Sequence, residues 1–179
     1  MKKIFVDACL GKSVPHTPIW IMRQAGRYLP EYRKIRDKYS FHQMMQSPDL
    51  MTEVTLQPIN RFKLDAAIMF SDILVIPEAM GLKFKLIENI GPVFDKPLDS
   101  IEKIRSLSCA NSNHLSHVFE GIKQIRNELS NNKALIGFSG APWTIASYMI
   151  EGRPSKDYRK LRSLVYSNPQ TFHHLMQTL

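Results

Sequence analysis

Three apolar runs, each ending in a polar or glycine-containing turn that opens into an amphipathic stretch, constrain this chain more than any other feature. The first, Pro18-Ile19-Trp20-Ile21-Met22, leads into Arg23 to Tyr28. The second, Ala66-Ala67-Ile68-Met69-Phe70, leads into Ser71-Asp72, and the third, Ala134-Leu135-Ile136-Gly137-Phe138, into Ser139-Gly140-Ala141-Pro142-Trp143. Each run is continuous rather than alternating, the pattern of a parallel strand buried on both faces. Between the first two, Ser47-Pro48-Asp49 offers an N-cap with proline at the first helical position, and Leu50 to Asn60 carries helical periodicity, which predicts a crossover helix. The gap before the third run is longer. There Leu82 to Leu86 alternates like an exposed strand before a turn near Gly91-Pro92, predicting an inserted hairpin, and a helix follows from about His114 to Leu129. Thr144 to Ile150 and Lys156 to Tyr166 read as helices, and Pro169 begins a last one.

Strand–helix units in series imply an α/β fold with a parallel sheet and right-handed crossovers. About three units fit in this chain, whereas a (β/α)8 TIM barrel needs eight strands and about 250 residues. If that is the fold, the 179 residues hold its N-terminal part. No repeat, low-complexity tract or linker marks a second domain, and 44% hydrophobic residues suffice for a core, so one globular unit is expected over 1–179.

A net charge of +8 favours anionic partners of some kind. Nucleic acid is not favoured, because the basic residues are dispersed and lack interleaved aromatics. Cys9 and Cys109 have no CxxC spacing, which fits reduced thiols in a cytoplasmic setting. Met1 to Val6 begins like a signal peptide, but Asp7 interrupts it, and no run approaches the roughly 20 apolar residues of a membrane span.

In parallel-sheet folds, ligands collect beyond the carboxyl ends of the strands. Those ends carry Arg23 and Arg27, Asp72, and the glycine turn leading to the helix with Tyr148. Paired guanidiniums suit carboxylates because each planar fork binds one bidentately and stays charged. The plainer alternative is surface ion pairing with Glu31 and Asp37. Asp72 follows the second run directly and serves either as a site carboxylate or as the N-cap of a helix over Ile73 to Met80. Tyr148 is either a site phenol or core packing. The glycines of 137–143 lack Walker spacing, adjacent His173 and His174 point apart on a helix and do not suggest a metal site, and Arg153 to Arg162 reads as a solvated helix face.

The stretch Pro18-Ile19-Trp20-Ile21-Met22-Arg23-Gln24-Ala25-Gly26-Arg27-Tyr28-Leu29-Pro30-Glu31-Tyr32-Arg33 closely resembles the N-terminal signature of the uroporphyrinogen decarboxylase family. The similarity continues through Glu53 to Pro58, Leu64 to Leu74, Gly137 to Thr144 and Tyr148 to Gly152, in the expected order. The resemblance implies a cofactor-independent, cytoplasmic carboxy-lyase of haem biosynthesis, a homodimeric (β/α)8 barrel that removes carbon dioxide from the four acetates of uroporphyrinogen III to give coproporphyrinogen III. It implies that Arg23 and Arg27 bind substrate carboxylates with the backbone of Gln24, Ala25 and Gly26 close by. It further implies that Asp72 faces the pyrrole N–H groups, Tyr148 lies beside a reacting acetate, and Phe41 is an apolar neighbour of the substrate. Arg23, Asp72 and Tyr148 are thus the catalytic candidates, with no metal, nucleic acid or membrane implied. The late hydroxyl and histidine positions of the family have no counterpart here, so the chain is expected to be a fragment, inactive alone. A methyltransferase of the related barrel superfamily and a basic binding module are the competing readings.

Overall fold

The computed structural model describes residues 3–179. In chain order the elements are α1 (Ile4–Cys9), α2 (Pro30–Arg36), α3 (Phe41–Gln46), α4 (Pro48–Arg61), β1 (Ala66–Ile68), α5 (Val75–Ala79), β2 (Phe84–Ile87), β3 (Gly91–Phe94) and α6 (Ile101–Arg105). A 3-10 turn (Ser112–Leu115) then precedes α7 (Ser116–Glu128), β4 (Ala134–Ile136), α8 (Pro142–Glu151), α9 (Arg159–Ser167) and α10 (Pro169–Thr178). The chain forms two compact units that interleave in sequence: residues up to Asp72 with Ser116–Phe138, and Ile73–Leu115 with Ser139–Leu179.

The first unit is built on a parallel pair, β1 and β4, in register Ala66↔Ala134 through Ile68↔Ile136. A bond from the Met69 N–H to the Ile136 carbonyl extends the pairing by one residue. The crossover helix α4 forms as the sequence indicates: Ser47 Oγ accepts from the Leu50 N–H, and Pro48 fills the first turn, where its missing N–H costs nothing. Its buried face carries Met51, Val54 and Thr55. Gly121 lets α7 come close, since a Cβ there would sit 2.6 Å from Met51 Cε. Met51, Met69 and Ile125 close a core between the helices and the sheet, each large side chain contributing about 1.5–3 kcal/mol on burial.

The first apolar run differs from expectation. Pro18 to Ile21 have no regular secondary structure, Met22 lies in a turn, and Ile19, Ile21 and Met22 are 54%, 58% and 70% exposed. It still lies beside β1, because the Asp65 N–H donates to the Ile19 carbonyl and Asp65 Oδ2 accepts from the Ile19 N–H, at 2.9 and 2.8 Å. Apolarity reports that a strand can be covered on both faces, and carries no information on whether cover is present. Of the signal-like start, Met1 and Lys2 lie outside the described residues, and Ile4 onward is α1.

The second unit holds the expected hairpin, β2 and β3 antiparallel with Phe84 opposite Phe94. Its reversal is Glu88–Ile90, with Asn89 and Gly91 at φ +62° and +104°, so Gly91 opens the returning strand and is not the turn's centre. Helix α8 stops at Gly152, whose φ of +76° is a left-handed cap. Carbonyls at its C-terminal end are taken up by the end of β3 and the segment after it: the Phe94 N–H donates to the carbonyl of the cap Gly152 and the Leu98 N–H to that of Met149, both at 2.8 Å. Leu82, Phe94, Leu98, Ile145, Met149, Leu161 and Leu175 form the core of this unit. Helix α9 begins at Arg159, after the expected Lys156, because Ser155 and Asp157 form a turn and Tyr158 is left-handed. Glu151 then caps its N-terminus by accepting from the Lys160 and Leu161 amides. No helix among the described residues is long and apolar enough to cross a membrane.

Candidate functional site

Arg23 to Tyr28 forms one tight turn in the first unit. Arg23 adopts φ +59°, a left-handed conformation that costs a non-glycine residue roughly 1–2 kcal/mol and persists only where the surroundings enforce it. The enforcement comes from Gln24. Its side chain is 2% exposed; Oε1 accepts from the Ile21 N–H, and Nε2 donates to the Ala66 carbonyl, each at 3.2 Å. One amide thus ties the turn both to the apolar run before it and to the start of β1. The Tyr28 hydroxyl donates to the Gln24 carbonyl, and the Arg33 guanidinium donates to the carbonyls of Arg27 and Tyr28. Ala25 packs against the Leu29–Tyr32–Ile35 cluster.

The consequence is that Arg23 and Arg27 are both exposed, and among the described residues neither is ion-paired with a carboxylate. The plainer reading of this pair, surface ion pairs with Glu31 and Asp37, is not what forms: Glu31 is taken by Arg61 at 3.2 Å. The Glu31 carboxyl is held below its ordinary value, first by a backbone hydrogen bond and then by Arg61. Tyr32, under the turn, has its hydroxyl pushed above the usual value by burial, with Arg36 and Arg27 pulling the other way. A Cβ on Gly26 would meet only ordinary contacts, 3.6 Å from the Arg23 carbonyl oxygen, so the fold does not require glycine there.

Asp72 leaves the end of β1 as expected. Buried Thr55 on α4 fixes the exit, its Oγ1 accepting from the Phe70 N–H at 2.9 Å. The helix beyond is shorter than Ile73 to Met80: α5 begins at Val75, and its N-cap position is occupied by Leu74 where the sequence offered Asp72. Phe41 opens α3, whose Ser40/Gln43 capping box fixes the helix start, and its ring meets Phe70 edge-on at 5.6 Å. The first unit therefore carries Arg23, Gln24, Ala25, Gly26, Arg27, Phe41 and Asp72. Tyr148 belongs to the second unit, on α8, where it is half-buried against the core.

Other sequence candidates resolve into structure. Gly140 is a packing requirement, since a Cβ would lie 2.7 Å from Ile145 Cγ1 and 3.1 Å from Ile73 Cβ. His173 and His174 are exposed, and Cys9 and Cys109 are free and exposed. Asp65 and Thr55, which position the signature turn and the exit of β1, were not singled out from the sequence. The only available signal was a carboxylate directly before an apolar run and a threonine on the inner face of a helix.

Comparison with known proteins places this arrangement. Residues 1–179 match the family described as uroporphyrinogen decarboxylase (URO-D). The chain is 52% identical to the uroporphyrinogen decarboxylase of Nautilia profundicola over 97% of its length and 51% of that protein's. It is 48% identical to that of Aliarcobacter butzleri over 99% and 52%, and 49% identical to that of Janthinobacterium sp. over 97% and 49%. The chain thus spans about half the length of the curated relatives it matches. A solved methyltransferase from Methanosarcina mazei aligns with a TM-score of 0.71 at 17% identity, covering 99% of this chain and 52% of that one. That likeness concerns the fold alone, and it agrees with the N-terminal part of a barrel. With a match spanning every residue, and relatives of one name at about half identity, the chain belongs to the uroporphyrinogen decarboxylase family.

Proposed function

We propose that this chain supplies the carboxylate-binding side of a uroporphyrinogen decarboxylase, and that residues 1–179 form part of one barrel domain of that enzyme. The observation that carries the reading is the signature turn: Arg23 is held in a strained conformation, with both guanidiniums exposed and without carboxylate partners among the described residues. Strain at an exposed cationic turn has a use if the charges are presented to a ligand. Arg23 and Arg27 bind carboxylates of the macrocycle, converting binding energy into orientation. The backbone of Gln24, Ala25 and Gly26 lies close to the ligand, and Gly26 leaves room that the fold does not otherwise use. Phe41 gives an apolar contact.

Loss of carbon dioxide from an acetate on a pyrrole would leave an unstabilised carbanion. Protonation of the ring carbon beside the acetate-bearing position makes the ring an electron sink. The C–C bond electrons then enter the ring as carbon dioxide departs, and protonation of the exocyclic carbon followed by loss of the ring proton gives the methyl product. Asp72 accepts from the pyrrole N–H groups and stabilises the ring cation as it develops, where preorganised charge lowers a barrier. Tyr148 sits beside the reacting acetate. A guanidinium holds its proton tightly and is a poor proton donor by itself, so Arg23 acts with a bound carboxylic acid or water. The proposed enzyme is a cytoplasmic homodimer that requires no cofactor and acts on uroporphyrinogen without nucleic acid or membrane.

The test is a pair of assays for coproporphyrinogen formation, one with this chain alone and one with the chain joined to the second half of the Nautilia relative. The joined form is expected to turn over and the chain alone is not. Loss of product in the joined form on Arg23→Ala supports the reading, and unchanged turnover refutes it.

A further inference from the structure

The groove between α4 and α7 lies in the first unit, on residues that the decarboxylase reading does not use. It encloses about 680 Å³, and its lining includes four acidic residues and no lysine or arginine, in a chain that carries 24 Lys and Arg against 16 Asp and Glu. Glu31, at its edge, is paired with Arg61. Asp49 and Glu53 on α4 and Glu128 on α7 have no ion pair among the described residues. Between them lies Gln57, 7% exposed, whose Oε1 and Nε2 are both buried without a hydrogen-bond partner. A buried amide with neither atom satisfied costs stability and calls for an explanation.

We propose that this groove binds a linear aliphatic polyamine. Asp49, Glu53 and Gln57 follow one another at four-residue steps on α4, so their polar tips are spaced by about 6 Å along the groove. Amines joined by short methylene chains repeat at a similar interval. Asp49, Glu53 and Glu128 take the ammonium groups, Gln57 Oε1 accepts from an inner amine, and Leu56 meets the methylenes between the charges. A single metal ion fits the groove poorly, because no three His, Cys, Asp or Glu side chains among the described residues converge closely enough to hold one.

Calorimetric titration of the chain with spermidine at low ionic strength tests the proposal. Saturable binding at one site per chain is expected, weakened about threefold by Glu53→Gln or Glu128→Gln alone and about tenfold by both together, since each exposed pair is weak. Both residues are exposed, so the variants keep the fold. Gln57→Met should also weaken binding while raising the melting temperature of the free chain, because it removes an unsatisfied buried amide; a purely structural glutamine would lower it. Glu102→Gln, in the other unit, should leave affinity unchanged. Failure to saturate at millimolar spermidine, equal displacement by magnesium at matched charge, or undiminished binding in the double variant would overturn the proposal.

Discussion

The signature turn of the first unit and helix α8 of the second support their candidate residues by opposite means. Around Arg23 the work is polar: two contacts from one buried amide, a carboxylate on the Ile19 N–H, and a tyrosine hydroxyl on a carbonyl hold a backbone conformation that the chain would not choose alone. Around Tyr148 the work is apolar. Ile145, Ala146, Met149 and Ile150 are at most 4% exposed and hold the helix face, while the polar contacts serve its C-terminus. Directional bonds can fix a strained loop, since a few of them choose one geometry. Packing fixes a regular helix, because many weak contacts add without selecting a dihedral angle. The two regions should therefore fail differently when perturbed.

The largest expected effect is chemical. In the joined form, Asp72→Asn should cut turnover by about 10²- to 10³-fold while porphyrinogen affinity changes little. Steady-state kinetics with a separate binding titration checks this, and unchanged turnover would remove Asp72 from the mechanism. Next, Met149→Ala, at a fully buried site, should destabilise by about 2–5 kcal/mol in chemical denaturation. Hydrogen exchange should then rise across α8 through α10.

Gly140→Ala should cost about 1–3 kcal/mol by forcing a Cβ against Ile145, read as a lower denaturation midpoint at unchanged slope. Gln24→Met should cost about 1–3 kcal/mol, because two backbone groups lose their partner. Its signature should be local, with faster exchange at Ile21 and weaker porphyrin binding. Uniform exchange across the chain would show that Gln24 is an ordinary core residue. The smallest effect concerns pH. The folded-state pKa of Tyr32 is raised, mainly by burial, so its contribution is present below about pH 10 and is lost as pH rises through the folded value. Tyr32→Phe should flatten that alkaline loss in a stability-against-pH series.

Much of the fold was readable along the chain because it rests on local signals. Ser47-Pro48, the alternation of 82–86, the stretch Thr144 to Ile150 and Pro169 mark elements that form close to where the sequence puts them. Helices α2, α3 and α6 were missed because five to seven residues cover too little of a helical period to register. The residues of the signature turn could be named from their resemblance, whereas their geometry could not. Spacing made ion pairs with Glu31 and Asp37 the natural partners, and spacing cannot know that Arg61, thirty residues on, reaches Glu31.

The sequence by itself determined the family, the crossover helix, the hairpin and the identity of the candidate residues, because a long motif and local capping chemistry are properties of neighbouring residues. Tertiary structure alone decided that Pro18 to Met22 stays outside the ladder, that Gln24 spends its amide on Ile21 and Ala66, and that Arg23 is left strained and exposed. The bonds from Gln24 to Ala66 and from Ile19 to Asp65 join residues more than 40 positions apart, and no local pattern encodes which distant carbonyl a buried amide will meet.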